Sequence, residues 1–194
     1  MKNHRKLQFD WVAERINRMN NPSVLDVGAG IKYLNTLLNP KVKYKSLDIE
    51  GEQTYLSSVE DFYPTGSYDV IVMMDILEHV VNPDAIMDKF KVAGNTFFIA
   101  LPNEYSWLFR LYHLFGHITK MDEPFQIVNK HLHIHRPRVK DIKAFCNKHL
   151  EVQEIDYLWY SDSFPEWFNW IMNKFAKIWP SMFAKEVVVM GVKR

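Results

Sequence analysis

Two kinds of residue in this chain could do chemistry. The first is a glycine pair, Gly28 and Gly30, followed some twenty residues later by Asp48. Glycine reaches backbone conformations closed to other residues and lets a ligand approach the main chain. A carboxylate about 20 residues beyond such a turn, at the end of a second strand, can accept hydrogen bonds from both hydroxyls of a ribose. The competing reading of Asp48 is a solvated strand-end carboxylate. The second kind is histidine: His79 in LEHV, and His131, His133 and His135 in HLHIH. Imidazole titrates near neutrality and suits a general base. His79 could equally cap or pack its own helix. In an extended chain, His131 and His135 would stand about 13 Å apart, too far to share one metal ion with bonds of about 2.1 Å. Two of the three could share one, but no acidic or cysteine partner lies close in sequence, so no metal site is assigned.

These residues need a scaffold that brings strand ends together. Residues 24–27 (VLDV) form an apolar run that suits a buried parallel strand, and GAG follows it. Helical character is read over residues 31–38, a second strand over 42–49, and a short third strand near 55–57. Clear strands follow at 68–74 and 95–101, with a helix starting at Pro83 between them. An aromatic helical stretch at 105–115, a helix at 138–149 and strands at 152–160 and 186–192 complete the order. Phe9, Val12, Ala13, Ile16 and Met19 share one helical face, so an amphipathic helix occupies the N-terminal 1–22. Alternating strands and helices predict an α/β, Rossmann-like sheet, mostly parallel.

Size and composition bound the rest. The 194 residues suit a single domain over 1–194. A net charge of +1 gives no global attraction to nucleic acid or an anionic membrane. The single cysteine, Cys146, excludes an internal disulfide framework. With no apolar leader and no run of about 18 apolar residues, a cytoplasmic location is expected.

At the third position of a dinucleotide-binding glycine motif this chain has Tyr33, whose side chain would obstruct close strand–helix packing. That argues against NAD and for a ligand held by ribose, adenine and an amino-acid tail. On VLDVGAG, SLDIE, YDVIVMMDILEHV, Leu101-Pro102-Asn103 and KHLHIHRP, the sequence resembles the class I S-adenosylmethionine-dependent methyltransferases. The likeness is to small-molecule enzymes of the UbiE/type 11 kind and covers roughly residues 23–149. It implies a seven-stranded sheet with helices on both faces and an antiparallel last strand. It implies S-adenosyl-L-methionine as cofactor, with Asp26 orienting the glycine turn and Gly28, Ala29 and Gly30 beneath the methionine part. Asp48 would take the ribose, Ile49 the adenine face, and Val59 or Glu60 the adenine edge. Asp75 and Ile76 would flank the sulfonium. Among the HLHIH histidines, His131 best matches the pattern, so His79 and His131 are the catalytic candidates. The chain departs from the pattern at Lys32, where a third glycine is usual, and at Ser57-Ser58, where an Asp is common.

Residues 161–185 form an aromatic insertion before the last strand. Phe164, Trp167, Phe168, Ile171, Met172, Phe175, Ile178, Trp179 and Met182 fall on one helical arc, with Glu166, Asn169, Asn173 and Lys177 opposite. Pro180 must end or kink that helix. The arc reads as a lid packed on its own domain, a hydrophobic acceptor pocket, or a membrane-surface or homodimer face. The expected partner is a small-molecule acceptor. The alternative is a non-catalytic binder of the adenosyl cofactor that uses the insertion as an interface.

Overall fold

The computed structural model describes residues 3–116 and 133–194. The strands are β1 (Ser23–Val27), β2 (Lys43–Asp48), β3 (Tyr55–Leu56), β4 (Tyr68–Met74), β5 (Gly94–Pro102), β6 (Leu150–Leu158) and β7 (Glu186–Lys193). They form one sheet in the order β3-β2-β1-β4-β5-β7-β6. Pairing is parallel from β3 through β5, and β7 runs antiparallel to both β5 and β6. The antiparallel last strand is as expected.

The sheet is buried on both faces because its central strands are apolar at every step. Leu25, Val27, Ile71, Met73, Phe97 and Ile99 point to one side. There they meet Ile86, Met87 and Phe90 of α3 (Pro83–Lys91) and Ile142 and Cys146 of α5 (Val139–His149). Val24, Val70, Val72, Phe98 and Ala100 point to the other side. They pack on Trp11, Val12 and Ile16 of α1 (Asn3–Asn17) and Leu34 of α2 (Tyr33–Leu37). Successive strand residues alternate faces, which sorts one apolar run into two cores. Burial pushes the Cys146 thiol up to about 12, away from reactivity.

The chain order places β2 and β3 to one side of β1, and β4 and β5 to the other. The crevice beyond the carboxyl ends of β1 and β4 is therefore the switch point where ligands bind in such sheets. The helix that follows β1 is shorter than its pattern suggests. It spans only Tyr33–Leu37, and Ile31 is exposed. Lys32 adopts φ 57, a left-handed conformation that delays helix entry and that glycine would hold without strain.

Beyond β5 and β6 lies a cap of α4 (Trp107–Leu114), α6 (Glu166–Ile178) and α7 (Pro180–Phe183). Trp107 of α4 stacks on buried Trp159, with ring centroids 5.9 Å apart. Pro180 opens α7 at its first turn, so the insertion is two helices. The aromatic arc is split between core and solvent: Phe164 and Phe168 pack on the cap's buried cluster, and Asn169, expected on the opposite face, is buried. α6 buries Asn169, Met172 and Ala176, whereas Trp167, Trp170, Ile178 and Trp179 are exposed. The reason is backbone satisfaction where the chain leaves β6. Asn169 accepts from the Ser161 amide and donates to the Ser161 and Phe164 carbonyls, each at 3.0 Å. Asn173 accepts from the Trp159 amide at 2.9 Å. Leaving those groups without partners would cost about 1–3 kcal/mol each, so the asparagine edge turns inward. Among the described residues, no helix is long and apolar enough to cross a membrane.

Candidate active site

The glycine turn sits over the carboxyl end of β2. Gly28 and Gly30 have φ of 74 and 51. The amides of Gly28 and Ala29 donate to the Leu47 carbonyl at 2.8 and 3.2 Å. A Cβ at Gly28 would come within 3.0 Å of the Ile76 side chain, so two conditions demand glycine there: a left-handed backbone and a close neighbour. The Asp48 carboxylate accepts from the Gly30 amide at 2.7 Å through one oxygen. Through the other it accepts from the Ile49 and Glu50 amides at 2.7 and 3.3 Å. It is thereby fixed at the mouth of a cavity.

That cavity has a volume of about 650 Å³ and is lined by Gly28, Gly30, Asp48, Ile49, Val59, Glu60, Asp75, Ile76 and His79. Nine of the expected site residues thus share one crevice. Asp26 and Ala29 are buried and lie outside its lining. His131 lies outside the described residues. The bare glycine floor and the aimed, half-buried Asp48 fit a ribose-bearing ligand that carries no pyrophosphate. Ser57 and Ser58, which stand where an Asp is common, also line the cavity, and the Ser58 hydroxyl donates to Asp61 at 2.7 Å.

Asp26 supports the turn from below. Its carboxylate accepts from the Tyr44 hydroxyl at 2.7 Å. Burial pushes its pKa up to about 7; the Tyr44 hydrogen bond opposes this and the Asp48 charge adds to it. Burial and the Asp26 carboxylate in turn raise the Tyr44 hydroxyl. A carboxyl raised in the native state binds more protons folded than unfolded between its ordinary value near 4 and about 7. Its contribution to stability is therefore fully present below about 4 and declines as pH rises towards 7. Asp26→Asn is expected to flatten this part of the stability profile, as urea unfolding at pH 5 and pH 8 would read. An unchanged slope would mean that Asp26 is ionised at both.

Several contributors were not apparent from sequence. Asp75 holds φ 53, a strained setting for a non-glycine residue. It is held by its amide on the Ala100 carbonyl at 3.1 Å and by Gln8, fully buried on α1, which donates to its carboxylate at 2.8 Å. The signal for Gln8 was a polar residue one turn before Val12 on the apolar face of the opening helix. Lys89 of α3 donates to the carbonyls of Val59 and Glu60 at 2.6 and 2.7 Å, pinning the expected adenine edge. Asn103 donates to the Ala184 carbonyl at 2.8 Å and ties the end of β5 to the returning insertion.

At the other end of the cavity, two remote segments meet. The His79 and His133 rings lie edge to face, with centroids 4.7 Å apart. Glu78 is buried beside them, with an oxygen 4.0 Å from His79 Nε2. Glu104, one residue past Asn103, pairs with Nδ1 of His133. His135 turns away, its Nε2 3.0 Å from the Val80 carbonyl. The two described histidines of HLHIH thus have different partners: His133 meets His79 of the cavity lining, and His135 faces a backbone carbonyl.

A family model described as "Methyltransferase domain" matches residues 3–149. A curated relative, the ubiquinone biosynthesis O-methyltransferase of Erwinia tasmaniensis, is 29% identical over 53% of this chain and 52% of its own length. The chain thus spans about half the length of that relative. Among solved structures, the small RNA methyltransferase HEN1 aligns with 98% of this chain and 25% of its own, at a TM-score of 0.65 and 11% identity. The plantazolicin methyltransferase BpumL in complex with SAH aligns with 98% of this chain and 84% of its own, at 0.60 and 15%. A SAM-dependent methyltransferase from Archaeoglobus fulgidus aligns with 97% and 94%, at 0.55 and 15%. Because the matched span takes in β1 through β5 together with the whole cavity, the chain belongs to the methyltransferase domain family, whose class I fold takes its methyl group from S-adenosylmethionine.

Proposed function

We propose that this protein transfers a methyl group from S-adenosylmethionine to a hydroxyl of a small, largely apolar acceptor. The observation that carries the reading is the single crevice that joins the Gly28–Gly30 turn, Asp48 and Asp75-Ile76 to His79. The cofactor supplies a methyl group already activated on sulfonium, so the protein's work is alignment and water exclusion. Asp48 takes the ribose, Ile49 and Val59 enclose the adenine with Glu60 at its edge, and Asp75 and Ile76 flank the methionine end. His79 stands on the acceptor side and promotes loss of the acceptor's proton; His131 is kept as a second candidate for that role from the sequence alone.

An apolar acceptor is supported by a second cavity, of about 300 Å³, whose lining includes Leu77 and Glu78, next in sequence to the Ile76 and His79 of the first. Leu77, Leu101, Ile142 and Phe145 line it, with Arg136 among its polar groups. The relative's name, an O-methyltransferase of ubiquinone biosynthesis, points the same way. The test is incubation of the full chain with labelled S-adenosylmethionine and a panel of phenols, aliphatic alcohols and amines of graded hydrophobicity. Label is expected in apolar hydroxyl compounds; transfer to amines alone would overturn the oxygen assignment.

A second reading rests on the outward face of α6. Trp167, Trp170, Ile178 and Trp179 together offer an exposed aromatic surface of the kind that marks a peripheral membrane contact or a subunit interface. Tight cofactor binding without turnover on any acceptor would favour a non-catalytic partner protein that uses this surface.

A further inference from the structure

The meeting of Glu78, His79 and His133 has the construction of a metal site. One donor atom from each lies within 4.8 Å of the others. The Glu78 side chain is wholly buried, that of His133 is 10% exposed and that of His79 27%. The Glu78 carbonyl accepts from the amides of Ile134 and His135 at 2.8 and 3.1 Å. This clamp holds the His133 segment against the loop that carries the other two donors. Behind His133, Glu104 takes Nδ1, and its second oxygen lies 3.7 Å from Arg136 Nε. A metal-bound histidine commonly has such a carboxylate on its far nitrogen, fixing tautomer and ring direction. With Nδ1 engaged, Nε2 is the nitrogen offered to a cation. Two imidazoles this close would repel each other if both were protonated, whereas one divalent cation uses both in their neutral form and meets the buried carboxylate.

We propose that Glu78, His79 and His133 bind one divalent cation of the zinc or manganese class, and that the hydroxyl oxygen of the acceptor completes its coordination. Two imidazoles and one carboxylate, the donors found among the described residues, suit such borderline cations, whose catalytic sites take substrate as a further ligand. The inference rests on the methyl transfer proposed above and gives His79 its means of acting. On coordination the acceptor hydroxyl loses its proton to water. The oxygen lone pair then forms the new O–CH3 bond as the S–CH3 bond breaks, and the sulfonium becomes a neutral thioether. Hydroxyl and sulfonium thus yield methyl ether, thioether and one proton, with no change of oxidation state.

The experiment uses the untagged full chain, stripped of metal with a chelator. It is titrated by calorimetry with Zn2+ and Mn2+, and separately with S-adenosylhomocysteine. One equivalent of Zn2+ or Mn2+ is expected to bind. His133→Ala and Glu78→Gln should abolish that binding, and Glu104→Gln should weaken it about 10–100-fold. All three should keep their affinity for S-adenosylhomocysteine, whereas Asp48→Ala should lose the nucleoside and keep the metal. His133→Ala carries the test if the buried Glu78→Gln does not fold. Binding of S-adenosylhomocysteine with no saturable metal site, or metal binding unchanged in His133→Ala, would overturn the metal site alone. Metal uptake without S-adenosylhomocysteine binding would overturn the methyl-transfer reading instead.

Discussion

Asp48→Ala is expected to weaken binding of S-adenosylhomocysteine by about 100-fold or more. Hydrogen bonds to a charged group contribute about 1.5–3 kcal/mol each, and a carboxylate that takes both ribose hydroxyls makes two. At about 1.4 kcal/mol per tenfold, the lower end of that range already reaches two orders of magnitude. The alanine also removes the acceptor that holds the Gly30 amide at 2.7 Å and the Ile49 amide at 2.7 Å, so the glycine turn loses its brace. Asp48→Asn separates these roles: it keeps an acceptor for the turn but lacks the charge, and should fall between wild type and alanine. Calorimetric titration of the three proteins gives the answer. Equal affinities would remove Asp48 from the ribose and leave it as a loop brace.

His79→Ala is expected to lower kcat by about 10²–10⁴-fold, the range for losing assistance to the acceptor's deprotonation. Affinity for S-adenosylhomocysteine should change only a few-fold. The prediction follows from position. His79 lines the cofactor cavity, while its ring meets His133 and its Nε2 faces Glu78. On the proposed reading it serves the acceptor and not the nucleoside. Single-turnover measurement with saturating acceptor separates the chemical step from binding. If kcat holds and only stability falls, His79 is a packing residue.

The cofactor half of the site was legible because it is local. VLDVGAG encodes a buried strand, then backbone conformations that only glycine holds without strain, and SLDIE ends the neighbouring strand in a carboxylate. Parallel pairing of β1 with β2, Val27 opposite Leu47, brings the glycine turn and Asp48 together with nothing further to specify. The succession of strands along the chain was legible for the same reason, since each apolar run is bounded by turn residues; that β7 enters the sheet between β5 and β6 was not. The third glycine shows where this reasoning strained. Lys32 departs from the expected residue type, yet its backbone takes the left-handed conformation that a glycine would occupy.

The catalytic half and the insertion were decided in three dimensions. Nothing in DILEHV or HLHIH says that Glu78 will bind the His133 segment through its carbonyl, or that Glu104 will stand behind the ring; no acidic partner near the HLHIH histidines was visible in the sequence. Gln8 reaches Asp75 only because α1 packs across the sheet. In the insertion, hydrophobic periodicity set an aromatic arc opposite Asn169 and Asn173 and left open what the arc would face. The free backbone groups of Trp159 and Ser161 recruited Asn169 and Asn173, and helix geometry then turned Trp167 and Trp170 outward. The sequence by itself determined the sheet, the glycine turn and the strand-end carboxylate, because each follows from short-range periodicity and backbone sterics. Only the tertiary structure decided which histidine meets Glu78 and which face of α6 meets water, because both depend on polar groups far apart in the chain finding partners.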